Sequence, residues 1–231
     1  NRGSGWHLET VKAALANQLL MIIEFGTLNT QTALGNGVTG ITDNSAYNCS
    51  SLTGSTSSLG NASGAAAETI NEIGGTETTY NTNGKVSVSY RGMENPWGNI
   101  WKHIQGINIW GNGHMAGGQP YVADGLSGFN ESKHSDNYKA VGFTIPNASG
   151  YINAFGYGNP DFDWLLMPSE IGGTSSLPVG DYASVTANLN GYRITYLGGN
   201  WAVGAYAGGF YWTCSGGVGF RSRHFGGRLL Y

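Results

Sequence analysis

The chain has 231 residues, a net charge near -3, only 11% charged residues, 39 Gly, and 12% aromatics including seven Trp and thirteen Tyr. This length suffices for a sizeable core, and the aromatics argue against the disorder that low charge and low hydrophobicity otherwise imply, leaving a compact, loop-rich fold. Arg221, Arg223 and Arg228 are the one local basic cluster, so a nucleic-acid partner is not expected, and the sequence has no run of about eighteen apolar residues that would span a membrane.

The first predicted element is a helix from about Trp6 to Phe25. Leu8, Val11, Leu15, Leu19 and Ile22 recur at three- and four-residue spacing and line one face. Ser4 is its expected N-cap and Gly26 its stop. From 29 to 84 the chain turns to Thr, Ser, Gly, Asn and Ala, which predicts long loops with a short strand or helical turn. Val86, Val88 and Tyr90 alternate, the mark of a strand over 85–90. A short second helix is predicted over 95–104: Asn95 caps it, Pro96 opens it, and Trp97, Ile100, Trp101 and Ile104 form its buried stripe. Gly106 ends it, and Ile107 to Trp110 leave as a strand. Further short strands are expected over 119–123, 138–145, 163–167, 192–198, 208–213 and 228–231. Two helices followed by many short strands predict an α+β fold with mainly antiparallel sheets, long Gly/Ser/Asn-rich loops and a single domain over 1–231.

Few groups carry obvious chemistry. The two Cys, Cys49 and Cys214, form neither a CxxC nor a metal-spaced cluster, leaving one long-range disulfide or two free thiols. His103, on the predicted second helix, reads as a packed residue, and the other His are scattered. Asp161, Asp163 and Glu170 have a spacing that can bind a hard cation such as calcium, although an Asp after Pro160 more often bonds its own turn. No other cofactor is implied. Glu24 follows an apolar run and reads as half-buried and hydrogen-bonded to a loop. Nucleophile-elbow and phosphate-loop patterns are absent. The opening residues, without a Met, read as the start of a C-terminal piece of a longer protein.

The last forty residues differ. Tyr192 to Trp201, Ala202 to Trp212 and Gly219 to Tyr231 mix aromatics, small residues and Arg without a core-like period, the composition of a binding surface. Trp201 and Phe210 read as core. Tyr206, Thr213, Ser215, Arg221, Arg223 and His224 read as exposed.

Leu197-Gly-Gly-Asn-Trp201, Gly208-Gly-Phe-Tyr-Trp212 and Arg221-Ser-Arg-His-Phe-Gly-Gly-Arg228-Leu-Leu together resemble the terminal segment of the C-type-lectin-like proteins of phages and their bacterial hosts. That group includes the variable targets of diversity-generating retroelements and the phage major tropism determinants, and its fold is shared with formylglycine-generating enzymes. The stretches from Gln18 to Thr27, Tyr90 to Trp101, Trp164 to Glu170 and Gly180 to Tyr182 fit the same group in order, so the likeness spans nearly the whole chain.

The resemblance implies a C-type-lectin-like fold whose framework positions are Gly198, Gly199, Trp201, Gly208, Phe210, Gly226, Gly227, Arg228 and Leu229. It places ligand-binding positions at Ala202, Val203, Tyr206, Thr213, Cys214, Ser215, Phe220, Arg221, Arg223 and His224, with the aromatic Trp212 among them. The implied role is a non-enzymatic receptor-binding domain on a phage tail or bacterial surface. Its partners would be a host surface protein or glycan and other virion proteins, and a homo-oligomer, a trimer by analogy, is implied. The Glu-Pro-Asn and Trp-Asn-Asp signatures of calcium-dependent sugar binding are missing. Two other readings stand beside it. A structural virion protein would bury the 202–224 surface against a partner. A formylglycine-generating-like oxidase would need Cys214 accessible and acidic.

Overall fold

The computed structural model describes residues 5–41, 50–66, 84–123, 125 and 128–230. The chain begins with a two-residue strand, β1 (His7–Leu8), followed by α1 (Val11–Phe25) and a short α2 (Thr30–Leu34). Three short strands follow: β2 (Gly64–Ala65), β3 (Val88–Tyr90) and β4 (Met93–Glu94). The main strands are β5 (Trp101–Asn112), β6 (Gln119–Ala123), β7 (Tyr138–Ala140), β8 (Gly150–Phe155), β9 (Pro168–Ile171), β10 (Tyr182–Val185), β11 (Asn190–Leu197) and β12 (Trp212–Gly216). The chain closes with β13 (Phe225–Gly226) and β14 (Leu229–Leu230).

A nine-stranded sheet in the order β7-β6-β5-β11-β12-β10-β8-β9 dominates, with β13 lying along β5 beside β6. Pairing is antiparallel except for β10 with β12 and β13 with β5. The first and last strands pair with each other, His7 opposite Leu230. The fold is thus α+β and mostly strand, as expected.

α1 starts at a Thr10 side chain that accepts from the Ala13 N–H, and stops at Gly26 in the left-handed region, φ 63°. It is shorter than predicted because residues 7–8 are drawn into the β1–β14 pair, and Ser4 lies outside the described residues. Its buried face is Val11, Ala14, Leu15, Gln18 and Met21; Leu19 points outward and is 39% exposed. Val11 and Leu15 pack with Ile104, Ile107, Ile109, Leu197 and Trp212 on one face of the sheet, forming the largest core cluster. Burying an apolar side chain of this size is worth about 1.5–3 kcal/mol, so this helix–sheet seam is a principal source of stability.

The second predicted helix is not a helix. Residues 101–112 form the longest strand of the molecule, paired with β11, β6 and β13. Trp97, Trp101 and Ile104 are buried as anticipated. Spacings of three and four in a short apolar run do not separate a buried strand from a helix, and pairing on both edges decided the matter. The expected strand over 163–167 is also absent: Pro160–Phe162 form a 3-10 turn, and the strand begins later, at Pro168. Within 138–145 only Tyr138–Ala140 is strand, and the strand expected over 208–213 runs instead from Trp212 to Gly216. β8 and β10 were not anticipated.

Candidate ligand-binding surface

Strand alternation assigns each side chain of the sheet to one of two faces. On β12, Trp212 and Cys214 join the α1-side core. The intervening residues, Tyr211, Thr213 and Ser215, therefore belong to the opposite, outer face. Register extends that face sideways: Thr213 lies opposite Tyr196 and beside Ser184, and Tyr182 lies opposite Tyr151. On β5 the outer residues are Trp101 and His103, His103 being opposite Tyr196.

The outcome is an aromatic band across the sheet. Tyr206, from the turn at 204–206, tilts against Tyr182 at 4.3 Å and meets Tyr151 edge-on at 5.4 Å. Tyr211 lies 4.7 Å from Trp101, and Trp101 stacks on Phe225 at 6.2 Å. Phe225 reaches Tyr196 at 4.3 Å, Phe220 at 5.1 Å and His224 at 4.6 Å. The chain after β12 folds back over the outer face, and β13 seats Phe225 against Trp101, with the Trp101 N–H donating to the His224 carbonyl at 2.8 Å. Phe225 is the anchor of this segment, and the sequence reading did not single it out. Its signal was position: it immediately precedes the Gly226-Gly227 pair. A Cβ at Gly226 would lie 2.7 Å from Ile100 Cδ1, and one at Gly227 would lie 2.4 Å from Leu8 Cδ2, so the return path runs closely against the ends of these two side chains.

Between the returning segment and the loop around 129–132 runs a groove. Its two adjoining parts, about 340 Å³ and about 490 Å³, share His103, Glu131 and Ile194 as floor and wall. Phe129 lines one side; Val218 and Phe220 line the other. Pockets of several hundred Å³ with apolar walls and a few polar groups are the usual shape of ligand sites. Its polar lining comprises Gln105, Asn130, Ser132, Arg221 and Ser222 together with the half-exposed carboxylate of Glu131 and the His103 ring, whose Nε2 is 3.7 Å from Glu131 Oε1. Burial lowers the His103 pKa, partly offset by Glu131.

The proposed positions divide in two. Ala202, Tyr206, Ser215, Phe220, Arg221 and Arg223 are exposed, and Val203 and His224 are half-buried. Trp212, Thr213 and Cys214 are buried at 0%, 5% and 1% exposure, which corrects their placement on the display surface. Trp212 packs in the core, its indole N–H donating to the Leu166 carbonyl at 2.9 Å. Thr213 has the outer orientation but is covered; its Oγ1 lies 3.2 Å from Ser215 Oγ. Cys214 is a free thiol on the core side, where burial pushes its pKa up to about 12. Neither access nor acidity, the two properties an oxidase role requires of Cys214, is met. Cys49 lies outside the described residues.

The framework residues form a buried polar scaffold beneath this surface. The Phe210 N–H donates to Asp181 Oδ2 at 2.7 Å, the Gly209 N–H to Thr30 Oγ1 at 2.8 Å, and Gln18 Nε2 to the Gly209 carbonyl at 2.7 Å. A Cβ at Gly208 would fall 2.1 Å from Asp181 Oδ1, so only glycine fits. Arg228 donates to the Glu94 carbonyl at 2.7 Å and pairs with buried Glu9 at 3.5 Å. Leu229, another expected framework position, is 44% exposed.

Asp161, Asp163 and Glu170 do not converge: Asp161 sits in the 3-10 turn capped by Asn159, and Glu170 is on β9. Among the described residues no three His, Cys, Asp or Glu side chains group to hold a metal ion. Glu24 accepts from the Tyr90 hydroxyl at 3.1 Å and from Arg91 Nε at 2.9 Å, the loop contact expected of it. No helix among the described residues is long and apolar enough to cross a membrane. The chain matches no protein-family model and no curated protein.

Proposed function

We propose that this chain is a ligand-binding domain of C-type-lectin-like fold, which recognises a host-surface protein or glycan through its C-terminal segment on a phage tail or bacterial surface. The observation that carries this reading is convergence. The exposed positions Ala202, Tyr206, Ser215, Phe220, Arg221 and Arg223 come from separate turns and from β12. Phe220, Arg221 and Tyr206 nevertheless belong to, or border, a single aromatic face and its groove, on the side of the sheet away from α1. The buried Gly208-Gly209-Phe210 and Arg228 contacts hold the backbone under those positions, so side chains above it can change without altering the scaffold. Antiparallel pairing of the first and last strands also fits the proposed fold.

Rigid Tyr and Phe rings beside Ser, Gly and Arg give contact area at low entropic cost. Single contacts of this kind are weak, and display in several copies on one particle would raise avidity by roughly a hundredfold or more. The test is binding of the labelled chain to a panel of bacterial cells. Replacing Tyr206, Arg221 and Arg223 together by Ala is expected to lower cell binding at least tenfold while the melting temperature stays within a few degrees. Equal binding by both proteins would contradict the reading.

A further inference from the structure

The outer face carries a second aromatic group, beyond the groove and outside the 202–224 positions. Trp110 on β5, Tyr192 on β11 and Tyr121 on β6 stand on adjacent strands: Tyr192 is opposite Trp110, and Tyr121 is opposite Asn108. None of the three belongs to the core clusters, and all are half-buried. They surround one side chain, His134, from the connection between β6 and β7. Its ring stacks on Trp110 at 4.4 Å and 20°, meets Tyr121 edge-on at 5.5 Å, and tilts against Tyr192 at 5.6 Å. His134 Nδ1 and the Tyr192 hydroxyl share a hydrogen bond.

All three ring centroids lie within 5.6 Å of the His134 ring, with the Trp110 face turned fully towards it, and an organic cation within about 6 Å of an aromatic face is attracted by its negative quadrupole. The imidazole is a ring of the size and polarity such a cage accepts. The geometry points to a second binding site, in which Trp110, Tyr121 and Tyr192 form a cage for a small organic cation and His134 fills it as an intramolecular stand-in. The neighbouring charges are already matched: Lys133 and Asp136 pair within the same turn at 2.6 Å. The turn is anchored on its two sides by Asn130 N–H to the Tyr138 hydroxyl and by Asn137 Nδ2 to the Gly128 carbonyl. For a ligand to enter, the His134 side chain has to leave the cage, and these hydrogen bonds hold the backbone on either side of it. The site shares no residue with the C-terminal surface and stands without the function proposed for it.

Choline is the probe, with its uncharged isostere 3,3-dimethylbutanol and methyl glucoside as comparisons, each titrated into the 231-residue chain and followed by the indole N–H resonances. His134→Ala is expected to bind choline at least tenfold more tightly than the unaltered chain does and at least tenfold more tightly than it binds the isostere. Adding Trp110→Ala is expected to abolish that binding. Should His134→Ala fail to fold, His134→Ser serves in its place, and choline titrated into the unaltered chain is expected to shift the His134 ring protons. Equal affinity for choline and the isostere would overturn the proposal. So would binding of methyl glucoside alone, or choline binding that survives Trp110→Ala.

Discussion

Asp181 shows how much the surface depends on single buried groups. One carboxylate oxygen accepts the Phe210 N–H, and the other is buried without a hydrogen-bond partner. Burial pushes its pKa well above the ordinary carboxylate range, opposed by the Phe210 N–H, which lowers it. A carboxyl group whose folded pKa is raised contributes stability below its unfolded value, about 3.9, and that contribution is lost as pH rises towards the folded value. The melting temperature of the unaltered chain therefore falls on this account as pH rises from about 4, the reference carboxylate region. Asp181→Asn, which has no proton to lose, is expected to give a flatter profile, measured by thermal unfolding over the same buffers. Parallel profiles would show that Asp181 does not titrate in the way its burial requires. In the sequence this residue appeared only within Gly180-Asp-Tyr182, and nothing local marked it as buried, because its burial comes from Phe210 and Gly208 far along the chain.

At the scale of elements, the parts that were legible are those set by local spacing. The stop of α1 at Gly26 and the strand over 119–123 follow from turn residues and periodicity, and the structure has them, whereas of the predicted α1 face only Val11 and Leu15 are buried and Leu19 points outward. β5 was misread because its outcome is set by partners: Asn95-Pro96 looks like a helix start, yet Trp101 to Asn112 gain a ladder on both sides. The register between β5 and β11 also jumps, with four residues (104–107) facing the single Thr195, so that Trp101, His103 and Trp110 all reach the outer face. No periodicity of two predicts that. Gly106, at φ 81°, sits within this irregular stretch, where the sequence predicts a helix stop. The closing contact between the ends of the chain gives a second test. Arg228 pairs with Glu9, which is only 4% exposed, near the buried Lys102, whose Nζ donates to the Gly98 carbonyl at 2.8 Å. Removing the Arg228 side chain leaves the Glu94 carbonyl and buried Glu9 without its guanidinium, while Lys102 stays beside Glu9, at a cost of about 1–3 kcal/mol. Arg228→Ala is expected to destabilise the chain to that degree in urea unfolding, whereas a loss under about 1 kcal/mol would match a surface pair.

At the scale of the whole molecule, the binding surface was readable as composition and not as geometry. Tyr206, Arg221 and Arg223 could be placed outside because they interrupt any apolar period. Thr213 and Cys214 sit on one strand and alternate, but which of them faced the core was fixed only by the pairing of β12 with β11 and β10. Thr213 is covered although it points outward. The far wall of the groove, with Phe129 and Glu131, comes from a loop that carried no signal in the sequence. The division that results is a fixed scaffold of glycines, Trp201, Phe210, Phe225 and Arg228, with the changeable side chains above it.

The most direct test of that division is deep sequencing of the gene segment encoding residues 197–231 across a natural population that carries it. The account predicts substitutions concentrated at 202, 203, 206, 215, 220, 221, 223 and 224, with Trp201, Gly208, Phe210, Phe225 and Arg228 unchanged. Substitutions spread evenly over both sets, or confined to the buried one, would contradict it.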